Sequence, residues 1–310
     1  MIPQLFVLSL LIFLLAQLMP GDGLRGMVGP GMTQERIQEL REIHGLDDPW
    51  YIQYVRWMGG ILREGDFGRS LSHMRPVTDI IGERMMNTVR LSLLTTFFTY
   101  LIAIPLGVIA AKYKGTKVDR SIMVYTFVAL SMPTVVFSLI NLLIFSFRGG
   151  WFPWTGSVDA TLTIGTFAYF MSRLHHLILP AITLALLSTV AIIYFLRSEI
   201  IDFESSDFVT TARSKGVPEG RIYTHHIMRN ALIPIAGHTG TMIILLFSGS
   251  IFIERIFSYP GMGQLFFDSI VARDFPVANT LIMFYAIITA VAMLLADIII
   301  SVIDPRIRIK

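Results

Sequence analysis

Side chains able to do chemistry are few and poorly grouped in this 310-residue sequence. Cysteine is absent, which removes thiolate nucleophiles, disulfides and thiolate metal sites. Of the seven histidines, four form the adjacent pairs His175-His176 and His225-His226. Neighbours on a helix do not face one ligand together, so both pairs read as interfacial polar residues. There is no Gly-rich P-loop to cradle phosphates, no His-Glu-x-x-His zinc site and no Gly-x-Ser-x-Gly elbow. A membrane hydrolase needs a nucleophile, a base and an orienting group within reach, and no spacing here supplies them. If transport is driven by ATP, the nucleotide must be bound by another subunit.

One polar stretch, 199–230, is organised enough to carry a mechanical role. Ser205, Ser206 and Asp207 are helix-capping types, and Asp207 also suits the positive end of a helix. Arg213 and Lys215 suit the negative end, and Gly216 stands where a left-handed cap belongs. Phe208, Ala212 and Lys215 fall on one side, with Thr211 beside them. Pro218 then opens a second helix through Ile222, Tyr223, Ile227 and Met228. A helix this short is marginal in water without tertiary contacts. With Phe208, Val209 and Ala212 expected at the surface, the stretch reads as a docking site for a partner rather than a plain solvated hairpin.

The elements that must position this hairpin are membrane spans. Hydrophobic residues make up 54% and charged residues 15%, with a mean hydropathy of +0.64. Soluble domains carry nearer a quarter charged residues, so an integral membrane protein is predicted. Six stretches reach the length needed to cross a bilayer: 2–19, 89–111, 122–147, 177–196, 231–253 and 277–303. The first lacks a basic leader and a small-residue cleavage site, and reads as a retained anchor. Every lysine (112, 114, 117, 215 and 310) and 12 of the 25 basic residues crowd the segments 112–120, 197–230 and 304–310. The positive-inside rule makes that side cytoplasmic, with both termini inside. The net charge of +3 therefore reports topology rather than a nucleic-acid partner.

Residues 20–87 form the one sizeable segment expected outside. Their ten acidic residues balance eight arginines, as on an ordinary solvated surface. Thr33 opens a helix that Gly45 ends, and Pro49 opens another that Gly65 ends. The run 76–87 suits a helix lying on the membrane surface. Within the spans, Ser138 and Asn141 in the third and Ser248, Gly249 and Ser250 in the fifth offer polar or small faces. These suit a translocation path or simply close helix packing. Glu254 and Arg255 are expected at the outer mouth of the fifth span, meeting a ligand or merely solvated. Pro105, Pro133, Pro180 and Pro234 suit either bent helices around a pathway or ordinary membrane-helix prolines. Asp297 is the one carboxylate well inside an apolar span, and reads as half of a structural pair or a helix contact.

The run Thr210-Thr-Ala-Arg213-Ser-Lys-Gly216, followed by Ile222 and by His226-Ile-Met-Arg-Asn-Ala-Leu-Ile-Pro234, resembles the EAA loop of binding-protein-dependent ABC importer permeases. Across the whole chain the sequence is similar to the dipeptide/oligopeptide permease family. The pieces that carry this are Leu18-Met-Pro-Gly-Asp22, His44-Gly-Leu-Asp-Asp-Pro-Trp-Tyr-Ile-Gln-Tyr54 and Gly65-Asp-Phe-Gly-Arg-Ser70. They continue with Leu179-Pro-Ala-Ile-Thr183, Tyr259-Pro-Gly-Met-Gly263, Ala272-Arg-Asp-Phe-Pro276 and Asp304-Pro-Arg306. The motif's Glu-Ala-Ala reads Thr210-Thr211-Ala212 here, so its acidic contact has no counterpart.

The resemblance implies one all-α permease domain over 1–310, with six transmembrane helices of the type I ABC importer kind. Residues 20–87 would be its extracytoplasmic helical segment and 199–230 its cytoplasmic coupling loop. It implies a second homologous permease subunit, two ATP-binding subunits holding ATP and magnesium, and an external peptide-binding protein. Coupling would fall to Asp207, Phe208, Thr211, Ala212, Arg213, Lys215 and Gly216, with Ser138, Asn141, Ser248, Ser250 and Glu254 as path residues. The chain itself would hold no cofactor and catalyse nothing. Import of nickel chelates or glutathione is the alternative within the family. An ion-coupled secondary transporter is more remote, since such folds carry internal repeats and several intramembrane carboxylates.

Overall fold

The computed structural model describes residues 2–18, 33–43, 47–232 and 250–303. All elements among them are helices, apart from one isolated bridge between Arg69 and Pro76. Before the first long span lie α1 (Ile2–Leu18), α2 (Gln34–Ile43) and α3 (Trp50–Glu64). As the sequence predicts, Pro49 precedes α3 and Gly65 closes it in the left-handed region, at φ 63°. α1 packs on α3 through Phe13, which meets Tyr54 and Trp57, and through a 2.8 Å bond between Ser9 and the Tyr54 hydroxyl.

Two long helices, α4 (Val77–Lys112) and α7 (Phe167–Glu204), form the central pair. At 1.5 Å per residue they are about 54 and 57 Å long, well beyond a hydrocarbon core of about 30 Å. The expected surface helix over 76–87 is therefore the first part of α4. No glycine or proline separates it from the span, and Val77, Ile80 and Ile81 bury against Met262, Leu265, Val277 and Leu281 rather than facing lipid. α4 and α7 run parallel. Small residues let them close: a Cβ added at Gly107 would stand 3.0 Å from Leu196 Cβ.

Between them, the chain crosses as α5 (Lys117–Ser131) and α6 (Thr134–Asn141), the latter running on into a π-helical stretch, Leu142–Arg148. The sequence predicts one span over 122–147, with Pro133 suiting either a bend or an ordinary membrane-helix proline; in the structure the two halves meet at 106°. Pro133 is the cause. It lacks an amide donor and holds Met132 extended at φ −88°, ψ 122°.

After α7 come α8 (Asp207–Ser214), α9 (Glu219–Arg221), a π-helical turn Ile222–Ile227 and α10 (Met228–Ala231). The chain resumes with α11 (Ile251–Ile256), α12 (Met262–Ala272) and α13 (Phe275–Ile303). Among the described residues, helices α4, α7 and α13 are long and apolar enough to cross a membrane, and the bent pair α5–α6 is apolar enough to be a fourth, broken span or a re-entrant loop. α1, with 17 residues, packs along α13. Most of the expected fifth span lies outside the described residues, with Pro234, Ser248 and Gly249; so do the helix stop at Gly45, residues 19–22 and residues 304–310. Asp297 lies in α13, and its side chain is likewise outside the described set.

Candidate functional site

The hairpin 205–228 follows the predicted order of helix, Gly corner and second helix, apart from the Ser206 cap and the face it buries. Ser206 takes the capping position of α8 at φ −77°, ψ 153°, but its hydroxyl donates to Phe203 O at 2.6 Å instead of capping. At the far end Gly216 N–H donates to Arg213 O (2.9 Å) and Val217 N–H to Ala212 O (3.2 Å), with Gly216 at φ 73°. This pair of bonds is a Schellman motif, which needs the left-handed residue that glycine supplies at little steric cost. Arg213 then grips Glu219 at the start of α9, with Nε donating at 2.7 Å. That bond holds the Glu219 carboxyl below the usual glutamate range and the Arg213 guanidinium above its own.

The correction concerns which face is free. Val209 and Ala212, expected at the surface, are buried against Ala111, Leu196, Ile200, Ile222, Ile227 and Ala231. Small and β-branched apolar groups on a short helix are more stable under their own chain than in water; burying Val209 alone is worth about 1.5 kcal/mol or more. Exposed instead are Asp207, Phe208, Thr210, Thr211, Arg213, Ser214, Lys215 and Gly216. Thr211 and Ser214 return their hydroxyls to Asp207 O (2.8 Å) and Thr210 O (3.0 Å). The result is a knob, apolar beneath and polar outside except for exposed Phe208, packed on the ends of α4, α7 and α10.

Just above it a bidentate pair joins α5 to α7. Arg197 donates through Nε and Nη2 to the two oxygens of buried Asp119, each at 2.8 Å, and Gly115 N–H donates to the same carboxylate at 2.8 Å. Sequence reasoning gave no signal for this pair, which bridges 78 positions.

At the opposite end two further carboxylates organise motifs that the sequence presents separately. Glu254, expected at the outer mouth of the fifth span to meet a ligand or be solvated, is fully buried, which corrects the expected exposure. Its Oε1 accepts from Thr88 Oγ1 (2.9 Å) and its Oε2 from Gln264 N–H (2.9 Å), while Thr88 Oγ1 accepts from Met262 N–H (2.7 Å). The Tyr259–Gly263 motif wraps this carboxylate so tightly that a Cβ on Gly261 would stand 2.4 Å from its Cδ and Oε1. Asp274, also buried, accepts from Ser70 Oγ (2.5 Å), Leu71 N–H (3.1 Å) and Ser72 N–H (3.0 Å). The Gly65–Ser70 and Ala272–Pro276 motifs thus meet on one side chain. Their joint presence in the sequence was the available signal.

Among the expected path residues, Ser138 Oγ donates to Thr134 O (2.6 Å) and Asn141 Nδ2 to Phe137 O (2.9 Å). Both are buried and bonded into their own helix, and α6 packs on α7 and α11. Ser250 precedes α11, and its carbonyl accepts from Glu254 N–H at 2.9 Å. His175 Nε2 meets Trp151 O at 2.7 Å, and His225 and His226 stack edge to face. Among the described residues no group of three metal-ligating side chains forms.

Long paired helices, a bent crossing and a capped knob at one end define a multi-pass permease of the ABC importer kind. The chain belongs to the family of binding-protein-dependent transport system inner membrane components, whose pattern matches residues 103–309 and whose N-terminal companion matches 1–93. It is 38% identical over 308 residues to the oligopeptide transport system permease protein AppB of Bacillus subtilis, covering 99% of this chain and 96% of that one. It is 33% identical over 310 residues to the glutathione transport system permease protein GsiC of Escherichia coli K12, covering 100% and 96%. In fold it is similar to the MetNI methionine ABC transporter in inward-facing conformations, with a TM-score of 0.57, 14% identity, and 73% of this chain and 96% of that one covered.

Proposed function

We propose that this permease carries peptides inward, and that the knob at Asp207–Gly216 transmits the motion of a separate ATPase to the spans. The observation that carries the coupling reading is the construction of the knob. Its underside is buried in the ends of α7 and α10, so a push on its polar outer face moves those helices rather than bending a loop. ATP and magnesium would be held by two ATPase subunits, one seated on each permease of a pair. Alternating inward- and outward-facing states follow from differential binding of ATP to the two arrangements. A second, homologous permease would supply the other half of the pathway, and an external binding protein would deliver the cargo to the side of residues 20–87. Both termini would then be cytoplasmic, in line with the lysine distribution.

Peptide cargo is favoured by the full-length similarity to an oligopeptide permease. Glutathione is the second reading, because a permease of that name is nearly as similar over the same length. Uptake of a labelled tripeptide and of glutathione, by the transporter purified with all its subunits, separates the two readings. The coupling claim is tested by Gly216→Val. A β-branched residue at φ 73° costs about 1–3 kcal/mol, although the space beside Gly216 is open. The variant should insert normally, yet retain less ATPase on purification and lose transport. Wild-type ATPase retention and transport in that variant would sink the claim.

A further inference from the structure

The turn joining α4 to α5, residues 112–120, holds four basic residues and one acidic in nine positions. Eight of the nine are exposed, and the exception is Asp119. That carboxylate is turned inward and already paired, taking two bonds from Arg197 and one from Gly115 N–H. The charges left outside are Lys112, Lys114, Lys117 and Arg120, all of one sign. None of the four forms an ion pair among the described residues. Lys112 Nζ stands 5.7 Å from the centre of the exposed Tyr113 ring. Four like charges on one short turn repel one another, and an anionic surface facing them relieves that cost.

Depth says which surface it is. From Leu91 to Ala111 α4 holds no charged residue, and from Ser121 to Phe147 the chain again holds none. The first run is 21 residues long. As helix that is about 32 Å, the thickness of a hydrocarbon core. Lys112 comes next, so the turn begins where the hydrocarbon ends. Exposed Ile109, Val118 and Val124 carry apolar surface up to the charges on both helices. The headgroup layer beyond is about 5–7 Å deep. The link between the helices is only Tyr113 to Thr116, folded back by Gly115 at φ 77° and by Thr116 N–H donating to Tyr113 O at 3.0 Å. So tight a turn stays within the layer of lipid phosphates, whereas a docking face for a soluble subunit must stand clear of it.

We propose that this turn is a docking surface for anionic membrane lipid, with Lys112, Lys114, Lys117 and Arg120 gathering phosphate headgroups around it. Ala111, the residue before it, belongs to the buried seat of the knob, so lipid held here steadies the end of α4 on which the knob rests. The site requires α4 to cross and α5 to enter the bilayer, but neither the cargo nor the coupling reading to hold. Lipid selectivity at the turn is the test, read on the assembled transporter in bilayers of equal composition on both faces. The result is then independent of which side is cytoplasmic. A fluorophore on Val118→Cys, with reactive cysteines removed from the other subunits, is quenched by any brominated-chain lipid beside it. Brominated phosphatidylglycerol mixed with plain phosphatidylcholine, and the reverse pairing, give the ratio of the two binding constants. The native turn should favour phosphatidylglycerol about tenfold at low salt. That preference should fall toward equality in about 1 M salt, where the screening length is about 3 Å. Lys114→Gln should lower the ratio about fivefold, and the combined change of Lys112, Lys114 and Lys117 to Gln should bring it to about one. A ratio near one for the native turn, or an unchanged ratio in the triple variant, would overturn the site. ATPase lost from the triple variant, with a native ratio near one, would overturn it in favour of a protein partner. Should the triple variant fail to assemble, Lys114→Gln and the salt series decide, and no change in either overturns the site.

Discussion

Glu254 is the residue whose surroundings are most tightly specified. Its carboxylate takes a hydroxyl from α4 and an amide from α12, and a glycine is needed on the third side. Gly261→Ala should therefore do more harm than a surface change of equal size. Forcing a methyl group into that contact costs about 1–3 kcal/mol, the range for overpacking a dense interior. A lower midpoint for heat-induced loss of the monodisperse peak in detergent is the expected outcome; an unchanged midpoint would mean the cage is loose. The residue scale also shows where reading the sequence stops. A Gly-rich motif and an acidic residue a few positions before it are visible in the sequence, yet nothing local says that one encloses the other. The same holds for Asp119 with Arg197 and for Ser70 with Asp274, since pairs separated by 78 and 204 positions leave no periodic trace. The sequence alone reads a carboxylate such as Glu254 as a rim charge because exposure, not enclosure, is the commoner state of a charge.

Among the elements, the knob was the most legible, because its signals are local: a polar cap, a left-handed glycine and a proline opening the next helix all act within a turn or two. What those signals omit is which side faces inward. Val209 and Ala212 form an apolar strip that suits an outside partner and the chain's own α7 and α10 equally, and only long-range packing decides for the latter. The Pro133 bend was half legible: proline marks a break, but a hydropathy window counts residues and is blind to direction. The Arg213–Glu219 clamp yields a prediction on pH. Because Glu219's folded pKa is depressed, its contribution is present above the ordinary glutamate range and is lost as pH falls through the folded value. Nitroxides on Thr210→Cys and Gly220→Cys should give one distance distribution from neutral pH down to the glutamate range, broadening only below it. With Glu219→Gln the distribution should be broad throughout. Broadening well above that range would assign the ordering to something other than this pair.

Taken whole, the molecule is built on a parallel pair of helices longer than a hydrocarbon core, with the knob at one end and a carboxylate-stapled cap at the other. That polarity makes its orientation testable. The natural sequence lacks cysteine, so single cysteines report without a background. Ser205→Cys beside the knob and Thr163→Cys in the loop before α7 are both exposed positions. A maleimide that cannot cross membranes should label Thr163→Cys in intact cells, and Ser205→Cys only after the membrane is opened. The reverse pattern would turn the proposed topology over. The membrane class followed from hydropathy, and the side assignment rests on where lysines collect. Packing at the cap was out of reach of both, because it joins segments from the two halves of the chain.

Asp274 carries a consequence for how the protein comes into being. The loop at Ser70, Leu71 and Ser72 is held by a side chain made roughly two-thirds of the sequence later. On the proposed topology this loop would be delivered across the membrane early and would wait, its amides satisfied by water, until almost the whole polypeptide had been threaded in. The final fastening is therefore a late event in biogenesis, and a ribosome stalled short of residue 274 leaves the cap open however well the earlier helices have inserted.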